Sequence, residues 1–173
     1  MSIFSRIFGL QSKSVDKTES GSPEIIRLGE FEKELRKLLG KDVYLARSDY
    51  KPLCTEYKDL YEQFSTLKKS KTLEDFCSQN HVDVQQIESF IETFKDLSKQ
   101  ESTEIITLHN RSFLEKHLVA DKAYLDNVLK MVDPAINLDD EQRRVVLSEE
   151  DYMLVIAGAG AGKTTTVAAK VKY

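Results

Sequence analysis

Residues 153–173 read MLVIAGAGAGKTTTVAAKVKY, and no other stretch of the chain constrains its fold as much. A short apolar run, Met153–Ile156, has the length and character of a buried parallel strand. Glycines then alternate with alanines, Lys163 and three threonines follow, and Val167, Ala168 and Val171 suit a helix. Strand, glycine loop, Lys-Thr and helix in this order is the context of a phosphate-gripping loop. The chemistry requires these residue types. Successive backbone N–H groups must form a concave nest around phosphate oxygens. Gly158, Gly160 and Gly162 permit the unusual backbone angles and the close approach. The helix starting near Gly162 contributes its positive end. Lys163 reaches the β- and γ-phosphates, and the Thr164 hydroxyl ligates the magnesium ion bridging them. The expected phosphate-binding set is Ala157, Gly158, Ala159, Gly160, Ala161, Gly162, Lys163, Thr164 and Thr165. The strict loop pattern has glycine where this chain has Ala157.

The preceding hundred or so residues have a different period. From Glu24, apolar residues Ile25, Ile26, Leu28, Phe31, Leu35, Leu38 and Leu39 recur mostly three and four apart, and Gly40 is a natural stop. Ser48 or Asp49 can begin the next helix, whose first turn tolerates Pro52. Its apolar face carries Leu53, Tyr57, Leu60, Tyr61, Phe64 and Leu67. A short piece follows with Leu73, Phe76 and Cys77, then a helix with Val84, Ile87, Phe90, Ile91, Phe94 and Leu97. Two more helical stretches, from Thr103 to about His117 and from about Asp121 to Val132, precede Pro134, which ends the run. Asp139 or Asp140 can cap a short helix through Leu147. The expected fold is mainly α: a helical domain over 24–134, then residues 135–173 as the first strand–loop–helix unit of an incomplete α/β domain. Stripes of this kind need one another, and antiparallel packing buries them.

Composition narrows the function. The net charge is −4, with 31% charged and 40% hydrophobic residues. That supports a folded core and provides no basic stripe that would hold DNA by charge alone. Lys68, Lys69 and Lys71 read as a solvated helix face. Cys54 and Cys77 lie 23 apart, a spacing for neither a zinc site nor a disulfide framework, and read as buried thiols. His109 and His117 are eight apart, not four, and His81 stands in a polar stretch. No apolar segment approaches the ~20 residues of a membrane span, so a cytoplasmic protein is expected. The first ten residues place Ile3, Phe4, Ile7 and Phe8 on one helical face, and the polar stretch after them reads as a linker ending at Pro23.

These residues resemble a family. AGAGAGKTTT preceded by LDDEQRRVV looks like the start of a UvrD/Rep-like superfamily 1 DNA helicase, in which the loop commonly begins with alanine. That family carries a Q motif of the form Leu-Asn-x-x-Gln-x-x-Ala. Leu138 and Gln142 match it, while Asp139 and Val145 depart from it. By resemblance, Gln142, with Leu138, binds the adenine, and an amide suits adenine's N6 and N7. Gln142 gains weight from standing 21 residues before Lys163. The helical region, above all residues 109–147, more softly resembles the extension of the helicase IV-like branch.

The resemblance implies ATP and Mg2+ as cofactors and DNA, single-stranded or forked, as substrate of the whole motor. It also implies an acidic pair for magnesium and water, phosphoryl-stabilising arginines and a second RecA-like domain. None of these is found in the ten residues after Lys163, so no catalytic set is complete. The first expectation is therefore an N-terminal fragment of an ATP-dependent DNA helicase, inactive alone. The second is a helical module that binds a protein partner and carries a vestigial P-loop. A third is a small nucleotide-binding protein completed by another chain.

Overall fold

The computed structural model describes residues 22–100 and 103–173. The expected amino-terminal apolar face, and all of the linker before residue 22, lie outside the described residues. Among those described, the order is α1 (Pro23–Leu39), α2 (Arg47–Glu56), α3 (Lys58–Lys69), α4 (Leu73–Asn80), α5 (Val84–Leu97), α6 (Glu104–Ala120), α7 (Lys122–Asn127), α8 (Asp140–Leu147) and α9 (Lys163–Lys172). The mainly helical class expected from periodicity holds. None of these helices is long and apolar enough to cross a membrane. The described residues form two compact units. One comprises those through Lys41 with Ser48–Leu108, and the other Asp42–Arg47 with His109–Tyr173.

The first unit is built on an aromatic core. α1 starts with Pro23, whose missing N–H costs nothing at a helix start, and buries Leu28, Phe31, Leu35, Leu38 and Leu39 on one stripe. Phe31 meets the Tyr57 ring edge-on at 5.4 Å and the Phe90 ring at 4.8 Å. Phe64 lies 5.7 Å from Phe90 and 5.9 Å from Phe76, again edge-on, and Tyr61 stacks on Phe94 at 4.8 Å. Such geometries add to the area the rings bury. α5 is capped by Asp83, which accepts the Gln85 N–H at 2.9 Å. His81 ends α4 in a left-handed conformation, φ 54°, a backbone role rather than a ligand's.

Three local expectations change here. The stripe read as one helix from Leu53 to Leu67 is two, because Tyr57 leaves helical geometry at φ −102°, ψ 15°. Pro52 lies inside α2 rather than in its first turn, because the helix begins at Arg47. Cys77 is buried, whereas Cys54 is only half-buried.

The second unit has its own core of Leu125, Val128, Leu129, Leu138, Val146, Leu147 and Ala169, with Leu114, Leu118 and Ile136 packed against it. α9 lies on α8. Arg143 braces this core's rim, donating to the Leu138 carbonyl at 2.9 Å and to Asp126 at 2.5 Å. The carboxyl of Asp126 is held below the usual range by Lys122, with Arg143 beside it.

The strand expected at Met153–Ile156 is not present. The run makes no backbone–backbone hydrogen bond, and its side chains are not buried. Exposure alternates along it: Leu154 and Ile156 are 84% and 88% exposed, Met153 and Val155 37% each. The period of two survives, but a strand is defined by its ladder, and no neighbouring backbone pairs with this run.

Candidate functional site

The site starts from a helix cap. Asp139 accepts the Gln142 N–H at 2.8 Å, and the Gln142 side-chain oxygen accepts the Asp139 N–H at 3.1 Å. This reciprocal pair is a capping box that starts α8 and selects Asp139 over Asp140 as the cap. The amide nitrogen of Gln142 remains, and it donates to the Ala161 carbonyl in the glycine loop at 3.2 Å. One side chain thus ties the α8 cap to the loop 19 residues later.

The loop turns where its glycines allow. Gly160 and Gly162 adopt φ +78° and +75°, a left-handed region costly for other residues. Gly162 is doubly constrained, since a Cβ there would lie 2.6 Å from the Gln142 amide nitrogen. Gly158 adopts no positive φ, so the expectation that all three glycines supply unusual angles holds for two of them. The Ala161 N–H closes the turn onto the Gly158 carbonyl at 3.3 Å. At the start of α9, the N–H groups of Gly162, Lys163, Thr164 and Thr165 make no backbone–backbone hydrogen bond. These orphan donors, with the helix dipole behind them, favour an anion.

Lys163 folds back on the loop. Its ammonium donates to the Ala157 carbonyl at 2.7 Å and the Gly158 carbonyl at 3.2 Å. Thr164 is exposed, and its hydroxyl has no hydrogen-bond partner among the described residues. Thr166 is buried, its hydroxyl donating to the Gly162 carbonyl at 3.0 Å. An open cleft of about 380 Å³ lies beside the loop, lined by Ala135, Ile136, Asn137, Asp139, Gln142, Gly160, Ala161, Gly162 and Thr165.

The structure therefore brings Gln142 together with Gly160–Gly162 and Thr165 in one cleft. Leu138 is 4% exposed and belongs to the core of the unit rather than to the cleft lining. Lys163 and Thr164 stand outside that lining at the helix start. Residues 135–137 were not singled out in the sequence. Asn137 lines the cleft while its oxygen accepts from Lys130 at 2.9 Å, and Lys130 also donates to the Pro134 carbonyl at 3.0 Å. Nothing in the periodicity marks them, because they lie between helices.

Residues 138–173 match the UvrD/REP helicase N-terminal domain family. The match begins at Leu138 and takes in the capping box, the turn, the loop and α9, so this stretch is helicase-related. No curated protein and no solved structure matches the chain. The matched stretch contains all nine residues expected at the phosphates as well as Gln142 and Leu138. The softer likeness to the helicase IV-like branch rests mostly on residues before it.

The residues present fit a magnesium nucleotide. Unpaired N–H donors at the start of α9, a left-handed glycine pair and a free threonine hydroxyl form a donor set suited to phosphate and its cation.

Proposed function

We propose that residues 135–173 are the ATP-binding start of a UvrD-like superfamily 1 DNA helicase of the helicase IV-like branch. In this reading, the nest from Ala157 to Thr165 takes the phosphates, Gln142 faces the adenine side, and Thr164 holds the magnesium ion. In a complete motor, hydrolysis of the ATP held here with magnesium would supply the energy of translocation on DNA, single-stranded or forked. The observation carrying the reading is the Gln142–Ala161 hydrogen bond at 3.2 Å, which puts the Q-motif glutamine on the loop. The 173 residues alone are inferred not to hydrolyse ATP, because neither an acidic residue nor an arginine stands in the ten positions after Lys163. Residues 24–134 are proposed as a helical domain serving a protein partner, and the protein as cytoplasmic.

The chain's own residues account for binding. Lys163 must leave the Ala157 and Gly158 carbonyls to reach phosphate oxygens, exchanging two neutral acceptors for charged ones. The N–H groups at the start of α9 have no backbone hydrogen bond to give up. A second reading, an idle loop on a partner-binding module, draws on the same Lys163 contacts, which satisfy the ammonium without nucleotide.

Titration of the full chain with a fluorescent ATP analogue and Mg2+ separates the two. Saturable binding that falls about tenfold or more in Lys163→Ala, about 1.4 kcal/mol or more, is expected. Absence of binding to the wild-type chain would favour the idle loop. DNA-stimulated phosphate release that is lost in Lys163→Ala would overturn the claim that the chain alone is inactive.

A further inference from the structure

The run Met153–Ile156 leads into the phosphate loop without a backbone–backbone hydrogen bond along its length. Its course is therefore set by what holds its two ends. Downstream, Lys163 grips the Ala157 and Gly158 carbonyls. Upstream, residues 148–150 are held from two directions. Lys170 of α9 donates to the Ser148 carbonyl and, at 3.2 Å, to the Val146 carbonyl. The Tyr44 hydroxyl donates to Glu150 Oε1 at 2.6 Å, across 106 residues of sequence.

Tyr44 belongs to the segment 42–47, which comes between α1 and α2 in the chain yet joins the second unit. Consecutive residues of this segment are each tied to α6. Asp42 accepts from Lys116 and lies 3.3 Å from His117 Nε2. The Val43 carbonyl meets His109 Nε2 at 2.9 Å. The Tyr44 ring lies edge-on to Phe113 at 6.2 Å. Leu45 is paired at both backbone groups with the buried Asn110 amide, its N–H donating at 2.8 Å and its carbonyl accepting at 2.9 Å. Leu45 itself is 1% exposed, so water does not compete for that pair. A segment held this way is a rigid mount for the Tyr44 side chain, which reaches Glu150.

We propose that residues 42–47 form a strap that positions the approach to the phosphate loop, with Tyr44 as its positioning residue. Burial and the Glu150 carboxylate push the Tyr44 phenol above its ordinary range, so the hydroxyl remains the donor well into alkaline pH. Without that anchor, the upstream approach to the unladdered run loses one of the contacts that hold it, and Ala157, where the loop begins, gains motion with it. The effect on nucleotide binding rests on the ATP-site reading; the effect on the run does not.

The test uses the full chain, with backbone 15N relaxation at residues 152–156 and a fluorescent ATP analogue as separate readouts. In the wild type, order parameters near the rigid value of about 0.85 are expected. Tyr44→Phe, which keeps the ring, and Glu150→Ala, at an exposed position, are each expected to lower them below about 0.6. Glu150→Gln retains an acceptor oxygen and is expected to keep the wild-type values. Helical circular dichroism and thermal midpoint stay unchanged in all three, which a general loss of stability would not allow. ATP-analogue affinity is expected to fall severalfold in the first two variants and not in the third. Unchanged order parameters in both Tyr44→Phe and Glu150→Ala, or a wild-type run already below about 0.6, overturn the proposal. Lowered order parameters with no ATP-analogue binding in any form uphold the strap and remove the nucleotide reading instead.

Discussion

Substituting Gly162 by alanine probes the junction of loop, helix and cap in a single change. At φ +75° an alanine carries the left-handed penalty of about 1–2 kcal/mol. Its Cβ would also lie 2.6 Å from the Gln142 amide nitrogen, so that side chain must move. Moving it breaks the 3.2 Å bond to the Ala161 carbonyl, worth about 0.5–1.5 kcal/mol. The expected local cost is about 1.5–3.5 kcal/mol from these two sources. Native-state hydrogen exchange reads it directly at α9, whose Thr166 N–H donates to the Gly162 carbonyl at 2.9 Å. Amides of Thr166 to Ala169 should exchange about 10- to 300-fold faster in Gly162→Ala, at 1.4 kcal/mol per decade. The decisive comparison repeats the change in a Gln142→Ala background. There the side chain to be displaced is gone, and only the left-handed term remains. The cost of Gly162→Ala should therefore shrink by about 0.5–1.5 kcal/mol, the coupling of a contacting pair. Equal costs in the two backgrounds would refute the claimed contact, and no cost in either would refute the claimed backbone conformation.

Three further outcomes follow from particular packing and charge. Phe90 is 3% exposed between Phe31 and Phe64, so Phe90→Ala should lose about 3–5 kcal/mol in urea unfolding followed by circular dichroism. Asn110→Ala strands the buried Leu45 N–H and carbonyl and should lose about 2–4 kcal/mol by the same measurement; a loss below about 0.5 would deny the clamp. The hydrogen bond from Arg27 holds the Asp59 carboxyl at about 2. Because that folded-state value is depressed, the pair's contribution is complete above an unfolded value of about 3.9 and is lost as pH falls toward 2. In Arg27→Leu the Asp59 carboxyl should titrate near 4 by NMR, and a value still near 2 would assign the shift elsewhere.

Much of the helical unit was legible because a helix is a local object. The stripe from Leu28 to Leu39 announces its buried face by spacing alone, and Pro23 and Gly40 bracket it. Less legible was the break at Tyr57. The apolar spacing continues through it, and the departure of Tyr57 from helical φ and ψ is a backbone change that side-chain spacing does not record. The segment 42–47 carried no signal at all, since its partners, Asn110 and Glu150, are 65 and 106 residues away.

At the candidate site, sequence alone determined the chemistry being proposed. Lys163, Thr164 and the alternating glycines suit phosphate and its cation by residue type, while Asp139 and Asp140 were equal candidates for the cap of α8. Tertiary structure alone decided what those residues touch. It sent the Gln142 amide to Ala161, made Gly162 intolerant of a Cβ, and turned Leu138 into the core. It also left Met153–Ile156 without a ladder. The period of two in that run is a property of side chains and is written in the chain. A strand is a property of backbone hydrogen bonds to a second segment, and those exist only where a second segment is brought alongside.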